Sequence, residues 1–454
     1  VEDLTLEESA IDYFSIYGMH GNKDIKLDFS CPFNILLSEN GQGKTTIIKL
    51  INAVFNGHIE KLKEIRFQSI EVKFRKFKRP ITLKQEDLDL EWESRAYKHI
   101  KSRVDELIFD KILDLVIKSK NYKSLITEVR ATFPELHRGI RNAGSSLPFS
   151  TVALQELYEE KTFVSSKASH LEFFKTVKER SPFKTLYLPT YRRIEDLIAT
   201  LSEDEKISTN EHIKFGLSDV EATIESIKKE ILTSCNDSTS RTNGEILSRL
   251  ANGLSLTIKD REIITKNIDS LSLVLNRFGK SLTAADKELI TKKVKSHEEF
   301  NDERNDTLVY FLSKMYSTFN EQREKDQALS KFAKVCSKYF KNKEMEYDEA
   351  TLEVQIKSLD TNEEIEFEHL SSGEKQIVSL FSKLILEKER NLFVLFDEPE
   401  LSLSVEWQKM LLTDVLNSGS CKMLLAMTHS PFIMHGLTNY ASDLKSSFIS
   451  GASA

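Results

Sequence analysis

The stretch Ser38-Glu39-Asn40-Gly41-Gln42-Gly43-Lys44-Thr45-Thr46 constrains this chain more than any other. It follows a short apolar run, Phe33 to Leu37, and precedes apolar residues at helical spacing, Ile47, Leu50, Ile51 and Val54. The run reads as a strand buried on both faces, and the spacing after it as a helix. Strand, glycine-rich turn and helix are the context of a phosphate-binding loop. Glycines let backbone N–H groups close around phosphate oxygens, and the helix N-terminus adds a favourable partial charge. Lys44 would then reach the β- and γ-phosphates of a nucleotide, and the Thr45 hydroxyl would bind Mg2+. Asn40, Gly41, Gln42, Gly43 and Thr46 complete the expected nucleotide-binding set. Ser38 stands where the GxxxxGKS/T pattern has its first glycine, and serine cannot adopt every glycine conformation.

A second apolar run, Phe393 to Phe396, ends in Asp397-Glu398. A strand there delivers Asp397 to the sheet edge, where it can hold Mg2+. Glu398 is then placed to orient or deprotonate an attacking water.

Between these motifs the pattern is mainly helical, with no proline from Pro189 to Pro399. Ser218 and Glu221 have capping-box spacing ahead of Val220, Ile224, Ile227 and Ile231. A second long helix runs from Leu308 through Leu312, Met315 and Phe319. Its phase resumes at Leu329, Ala333, Cys336 and Phe340. Gln322 and Asp326 fill the core positions between, which predicts an interrupted or wetted seam rather than a rigid coiled coil. Strand alternation is expected at Ile11, Tyr13 and Ser15, and at Ile25, Leu27 and Phe29. It is expected again at Leu352, Val354 and Ile356, with a turn at Asp360-Thr361-Asn362 and a return through Ile365 and Phe367. Strands at 392–396 and 423–427, separated by a helix from Ser404 to Leu416, indicate a parallel α/β sheet.

Three further segments resemble the ABC-type ATPases. Leu370-Ser371-Ser372-Gly373-Glu374-Lys375-Gln376 is similar to their signature motif and begins 27 residues before Asp397. Thr428-His429-Ser430 resembles their switch-histidine loop, and Leu401 to Ser404 matches the D-loop position. The resemblance implies an α/β P-loop ATPase head built from the N- and C-terminal segments, with a large helical insertion between them. The expected boundaries are 1–85 and 345–454 for the two halves of the head. Residues 86–183 and 196–344 are then the insertion, and 184–195 a strand returning to the head. The resemblance also implies ATP and Mg2+ as cofactors, Glu398 and His429 as catalytic groups, and Ser371, Gly373 and Glu374 acting on the nucleotide of a partner subunit. Two ATPs would sit in a head-to-head dimer. The family's Q-loop glutamine matches either Gln68 or the segment Leu186-Tyr187-Leu188-Pro189-Thr190-Tyr191-Arg192-Arg193, which lacks a glutamine.

The 323 residues between Thr46 and Leu370 exceed what a transporter subunit holds, and place the chain with SMC-, RecF- and OLD-like ATPases. Glu398-Pro399-Glu400, the LSSGEKQ form and the LPTYRR segment look most like the PtuA ATPases of Septu anti-phage systems, including retron-associated versions. That resemblance implies a defence role with an HNH nuclease partner and, in the retron versions, a reverse transcriptase with its RNA–DNA product; the cytoplasm is expected from the four widely spaced cysteines. No HNH-like histidine cluster occurs, and only 25 residues follow His429, so no nuclease centre is expected in the chain itself.

The alternative is a RecF/SMC-like repair ATPase that binds DNA directly. Lys73, Arg75, Lys76, Lys78 and Arg79, interleaved with Phe74 and Phe77, read either as a strand tracking a phosphate backbone or as a solvated strand face. A net charge of −7 disfavours a protein that coats DNA over its whole surface. The four cysteines form no CxxC pair and the ten histidines no HExxH, so neither a disulfide framework nor a hydrolytic zinc site is expected.

Overall fold

The apolar runs of the two ends of the chain meet in one sheet. The computed structural model describes residues 8–39, 41–88, 95–104, 106–119, 121–133, 151–159, 172–189, 217–252, 257–278, 282–296, 300 and 302–449. The chain divides into two units, Val1–Thr190 with Asn391–Glu400 and Lys422–Ala454, and Tyr191–Arg390 with Leu401–Cys421.

In the first unit, β1 (Ile11–Met19), β2 (Lys23–Asp28) and β3 (Phe33–Leu37) lead into α1 (Lys44–Asn56) and α2 (Ile59–Lys63). Strands β4 (Ser69–Phe74) and β5 (Ile81–Lys84) follow. Helices α3 (Arg95–Lys101), α4 (Glu106–Lys118), α5 (Tyr122–Thr132) and α6 (Thr151–Glu159) share a core around Tyr97, Ile100, Phe109, Ile112 and Leu154. Helix α7 (172–180) precedes β6 (Lys184–Leu188). An antiparallel sheet has the order β2-β1-β4-β5. Its β1 departs from the expected alternation. The pairing with β4 shifts register between Ile11 and Tyr13, so Ile11, Phe14, Ile16 and Met19 are the fully buried apolar residues.

In the second unit, α8 (Ser218–Asn252), α9 (Ile258–Lys266), α10 (Leu271–Phe278), α11 (Ala284–Lys295) and α12 (Asp306–Ser337) precede the hairpin β7 (Lys343–Asp348) and β8 (Glu353–Ser358). Then comes α13 (Ser372–Phe381). Strand β9 (Leu392–Asp397) belongs to the first unit, α14 (Val405–Leu416) to the second, and β10 (Cys421–Thr428) and β11 (Ala441–Asp443) complete the sheet of the first. That five-stranded sheet has the order β11-β3-β10-β9-β6, with β3 parallel to β10 and β11, and β6 parallel to β9. Strand β3 is therefore an interior strand, flanked by β11 and β10, which is why its sequence is nearly all apolar.

Two expectations for the second unit change. Helix α12 is continuous through Gln322 and Asp326, although both are buried. Protein groups satisfy them. The Gln322 amide donates to the Ile231 carbonyl at 3.3 Å and accepts from the Cys235 thiol at 3.4 Å. Asp326 takes a bidentate guanidinium from Arg277 at 2.7 and 2.8 Å and the Tyr347 hydroxyl. The strand pair is also different. β8 pairs with the upstream β7, and the return after Asn362 makes a bridge from Lys357 to Glu364 and two backbone bonds, Ser358 N–H to the Glu363 carbonyl and Ile365 N–H to the Ile356 carbonyl, rather than a strand.

Candidate nucleotide site

Helix α1 sets the first wall of the site. Ile47, Ile48, Leu50, Ile51 and Val54 are at most 1% exposed, and each contributes about 1.5–3 kcal/mol by leaving water. Phe55 packs edge-on against Phe393 of β9, ring centroids 5.8 Å apart. The helix that follows the glycine loop is thus seated against the strand that carries Asp397.

The loop itself is held by backbone. Ser38 N–H donates to the Thr428 carbonyl at 3.2 Å, tying the loop to the end of β10. Among the described loop residues, positive φ occurs at Gly41 (+80°) and Gly43 (+93°) and not at Ser38. The serine in the first glycine position is therefore unstrained. Asn40 lies outside the described residues. The first helical bond runs from Ile47 N–H to the Gly43 carbonyl at 3.0 Å, which leaves the preceding N–H donors of the helix start for a ligand. Lys44 occupies the first helical position and is 5% exposed, while Thr45 and Thr46 are half-buried.

Facing this loop, β9 is buried along its length and ends in Asp397, 1% exposed. Glu398 has φ +52°, a left-handed conformation that costs a glutamate about 1–3 kcal/mol. Its N–H bonds the Met427 carbonyl at 2.8 Å, which holds the turn against β10. The Glu398 carboxylate lies 3.2 Å from both the Lys44 ammonium and His429 Nε2, and Lys44 also contacts that ring nitrogen. Lys44, more than three hundred residues away in sequence, thus joins Glu398 and His429 in one polar knot next to Asp397.

Glu400 is the residue of this site to which the sequence assigns no role. Its carboxylate accepts the His429 N–H at 2.7 Å and the Thr428 hydroxyl at 2.8 Å. The repeated acid in Glu398-Pro399-Glu400 is the signal that marks it.

The signature segment lies in the second unit. Ser371 caps α13, its hydroxyl accepting from Glu374 N–H at 3.4 Å and donating to the Glu374 carboxylate at 2.8 Å. Lys343 binds the same carboxylate at 3.0 and 3.2 Å. Burial pushes the Glu374 carboxyl up, but the Ser371 N–H, the Lys343 ammonium and the Ser371 hydroxyl together hold it below the usual glutamate range. Glu374 therefore orients Ser371, and Lys343, which no motif announces, fixes Glu374. Gly373 is needed because a Cβ there would come within 2.9 Å of the Ser402 carbonyl oxygen and 3.0 Å of the Trp407 ring. Ser402 itself has φ +64°.

The Q-loop candidate is placed elsewhere. Gln68 N–H donates to the Tyr17 carbonyl at 2.8 Å, and its exposed side chain runs over Gly18. Among the described residues no hydrogen bond joins the Gln68 side chain to Lys44, Asp397, Glu398 or His429. The alternative segment forms β6 up to Leu188, and Thr190 to Arg193 lie outside the described residues.

The basic run splits. Lys73 and Arg75 pair with Asp12 at 3.1 and 3.0 Å, and Phe74 is in the core. Because β4 stops at Phe74, Phe77 leaves the strand alternation and is 39% exposed, with the Arg180 guanidinium 4.1 Å from its ring centroid. Lys76, Lys78 and Arg79 are exposed around it.

These residues suit a Mg-nucleotide. Gly41 and Gly43 make the cradle, and the hydroxyl of Thr45 with the buried carboxylate of Asp397 is a hard-oxygen donor pair. Mg2+ takes few protein ligands and keeps water and phosphate oxygens for the rest. The fold and the site define an ABC-type P-loop ATPase. The AAA ATPase domain model matches residues 11–434, and the chain belongs to that family. No curated protein matches the chain. Solved structures similar to it include an SMC head bound to the C-terminal winged-helix domain of ScpA, 12% identical with a TM-score of 0.36, covering 94% of this chain and 91% of that one. Another is the Pyrococcus furiosus Smc head with an extended coiled coil and the ScpA C-terminal domain, 13% identical with a TM-score of 0.36, covering 93% and 90%. The Pyrococcus yayanosii Smc head with a coiled coil and joint is 13% identical with a TM-score of 0.32, covering 93% of each chain. Among the described residues no helix is long and apolar enough to cross a membrane.

Proposed function

We propose that this chain is the ATP-hydrolysing subunit of an anti-phage complex of the Septu type, which holds a partner HNH nuclease in check and releases it on infection. The observation that carries the catalytic part is the convergence of Lys44, Glu398 and His429 on one point beside the buried Asp397. Lys44 and the loop N–H groups bind the phosphates, and Thr45 with Asp397 holds Mg2+. Mg2+ held there would supply charge neutralisation for the phosphate oxygens. Glu398 orients a water for attack and takes its proton, and His429 contacts the transferred phosphoryl group. Ser371 and the Gly373 backbone complete the site of a second copy, so that ATP favours the closed dimer and hydrolysis releases it. The defence role is supported by Glu398-Pro399-Glu400 and the LSSGEKQ form of the signature, and the subunit acts in a cytoplasmic complex with that nuclease and, in a retron, with a reverse transcriptase and its RNA–DNA product.

Lys44→Ala should abolish nucleotide binding, whereas Glu398→Gln should keep binding and trap the ATP-loaded state. Turnover by Glu398→Gln at the unmutated rate would overturn the assignment of that carboxylate. Tagged Glu398→Gln protein, expressed with its genomic neighbours, should pull down a stoichiometric HNH nuclease. Recovery of genomic DNA alone, competed by linear or gapped duplex, would refute the defence reading in favour of a RecF/SMC-like repair ATPase. That second reading is favoured by the exposed Lys76, Phe77, Lys78 and Arg79 with the half-buried Arg180 over the Phe77 ring, a combination suited to a phosphate backbone.

A further inference from the structure

We infer that Glu400 is a positioning residue for the hydrolytic step, acting through His429. This rests on the nucleotide-site reading above and adds a residue whose role neither the loop nor the signature motif contains. The geometry is that of a brace between two strand ends. Strand β9 leaves the sheet through Glu398 and Pro399, and β10 leaves it through Thr428 and His429. Three bonds cross between them. Glu398 N–H reaches the Met427 carbonyl at 2.8 Å, one Glu400 oxygen takes the His429 N–H at 2.7 Å, and the other takes the Thr428 hydroxyl at 2.8 Å. The Thr428 hydroxyl in turn accepts Ser430 N–H at 2.9 Å. One carboxylate therefore fixes three consecutive residues of the switch loop, and Thr428 is fully buried.

The chemistry asks for a carboxylate. Both of its oxygens accept, and a charged acceptor binds an N–H more strongly than a neutral one does. A glutamine offers one accepting oxygen and turns a donor toward the other partner. An alanine leaves the His429 N–H and the buried Thr428 hydroxyl to find partners elsewhere. What the brace sets is the distance between the His429 ring and the Glu398 carboxylate, 3.2 Å here. A displacement of about 1 Å in such a constellation costs on the order of 100-fold in rate. Pro399 lies between the two acids, so Glu398 and Glu400 are delivered by one stiff turn to opposite tasks. Glu398 faces the reaction and Glu400 holds the loop that faces Glu398.

The test uses the full chain and steady-state ATP hydrolysis. Glu400→Ala should lower kcat by about 10- to 100-fold with KM for ATP changed by less than about threefold, because Glu400 bonds Thr428 and His429 and none of the loop residues Gly41, Gly43 and Lys44 themselves. The double variant Glu400→Ala/His429→Ala should be no slower than His429→Ala alone. Glu400→Gln should recover part of the loss, and Thr428→Val, which keeps shape and removes the hydroxyl, should show a milder loss of the same kind. In nucleotide-free protein, amide exchange at His429 and Ser430 should accelerate by about tenfold or more in Glu400→Ala while α1 is unchanged. Rate losses that multiply in the double variant would overturn the inference, as would a raised KM with kcat preserved or unaltered amide exchange. If Glu400→Ala does not fold, Glu400→Gln and Thr428→Val carry the same comparison. A wild-type chain that neither binds nor hydrolyses ATP would refute the nucleotide-site reading instead, and the exchange measurement would still decide whether the brace exists.

Discussion

Replacing Asp326 by leucine tests the energetics of the second unit most directly. Asp326 and Arg277 have side chains 4% and 1% exposed and share a bidentate pair at 2.7 and 2.8 Å. The Arg277 guanidinium also donates to the Glu349 carbonyl, and Tyr347 donates its hydroxyl to Asp326. Removing one partner leaves a buried charge uncompensated, which costs about 3–5 kcal/mol. Replacing both with apolar residues of similar volume removes the desolvation cost along with the attraction. In Arg277→Met/Asp326→Leu, the Glu349 carbonyl and Tyr347 hydroxyl each lose a bond worth about 1 kcal/mol. The double variant should therefore lie within about 2 kcal/mol of the parent, although the single losses add to about 6–10 kcal/mol. Because the chain has two units, a single global unfolding fit is unsuitable, and native-state amide exchange along α12 is the assay. Exchange should open around residues 322–330 in either single variant and close again in the double. A single-variant cost below about 1 kcal/mol, or strict additivity in the double, would refute the view that this pair lets α12 run unbroken through its polar positions.

Gly373→Ala should destabilise the second unit by about 1–3 kcal/mol and lower its Tm by about 2–12 °C, since the Ser402 carbonyl cannot swing away from the added methyl. A Tm within about 1 °C of the parent by calorimetry would contradict the close approach. Acid should loosen the start of α13. The Glu374 carboxyl is held below its ordinary value, so its contribution is complete above the unfolded pKa of about 4.3 and is lost as pH falls through the folded value. Lys343→Met removes one of the groups that hold it down, so exchange at the α13 N-terminus should begin to open at a higher pH than in the parent. An unchanged profile would assign the capping to Ser371 alone.

Much of the nucleotide site was legible because its determinants are local. A buried strand, glycines at left-handed φ and a helix start lie within a dozen or so residues, so Lys44 and Thr45 could be placed from order alone. The positions of Asp397, Glu398 and His429 were legible for the same reason, Asp397 ending β9 and Glu398 and His429 following directly on β9 and β10. Gln68 carried no such context, and the structure spends its backbone on pairing beside Tyr17. Phe77 was ambiguous because alternation continues in sequence after β4 has stopped.

The linear sequence by itself determines the element types around the site, because apolar periodicity and glycine act over a few residues. It does not determine which distant side chains become partners. Glu400 meets His429 only because β9 and β10 are neighbours in the sheet, and Asp326 meets Arg277 only because α10, α12 and β7 converge. A buried acid reads as a break until its counter-charge is in view. Desolvation cost is set by residues far away in the chain, so tertiary structure alone decides whether such an acid interrupts a helix or anchors it.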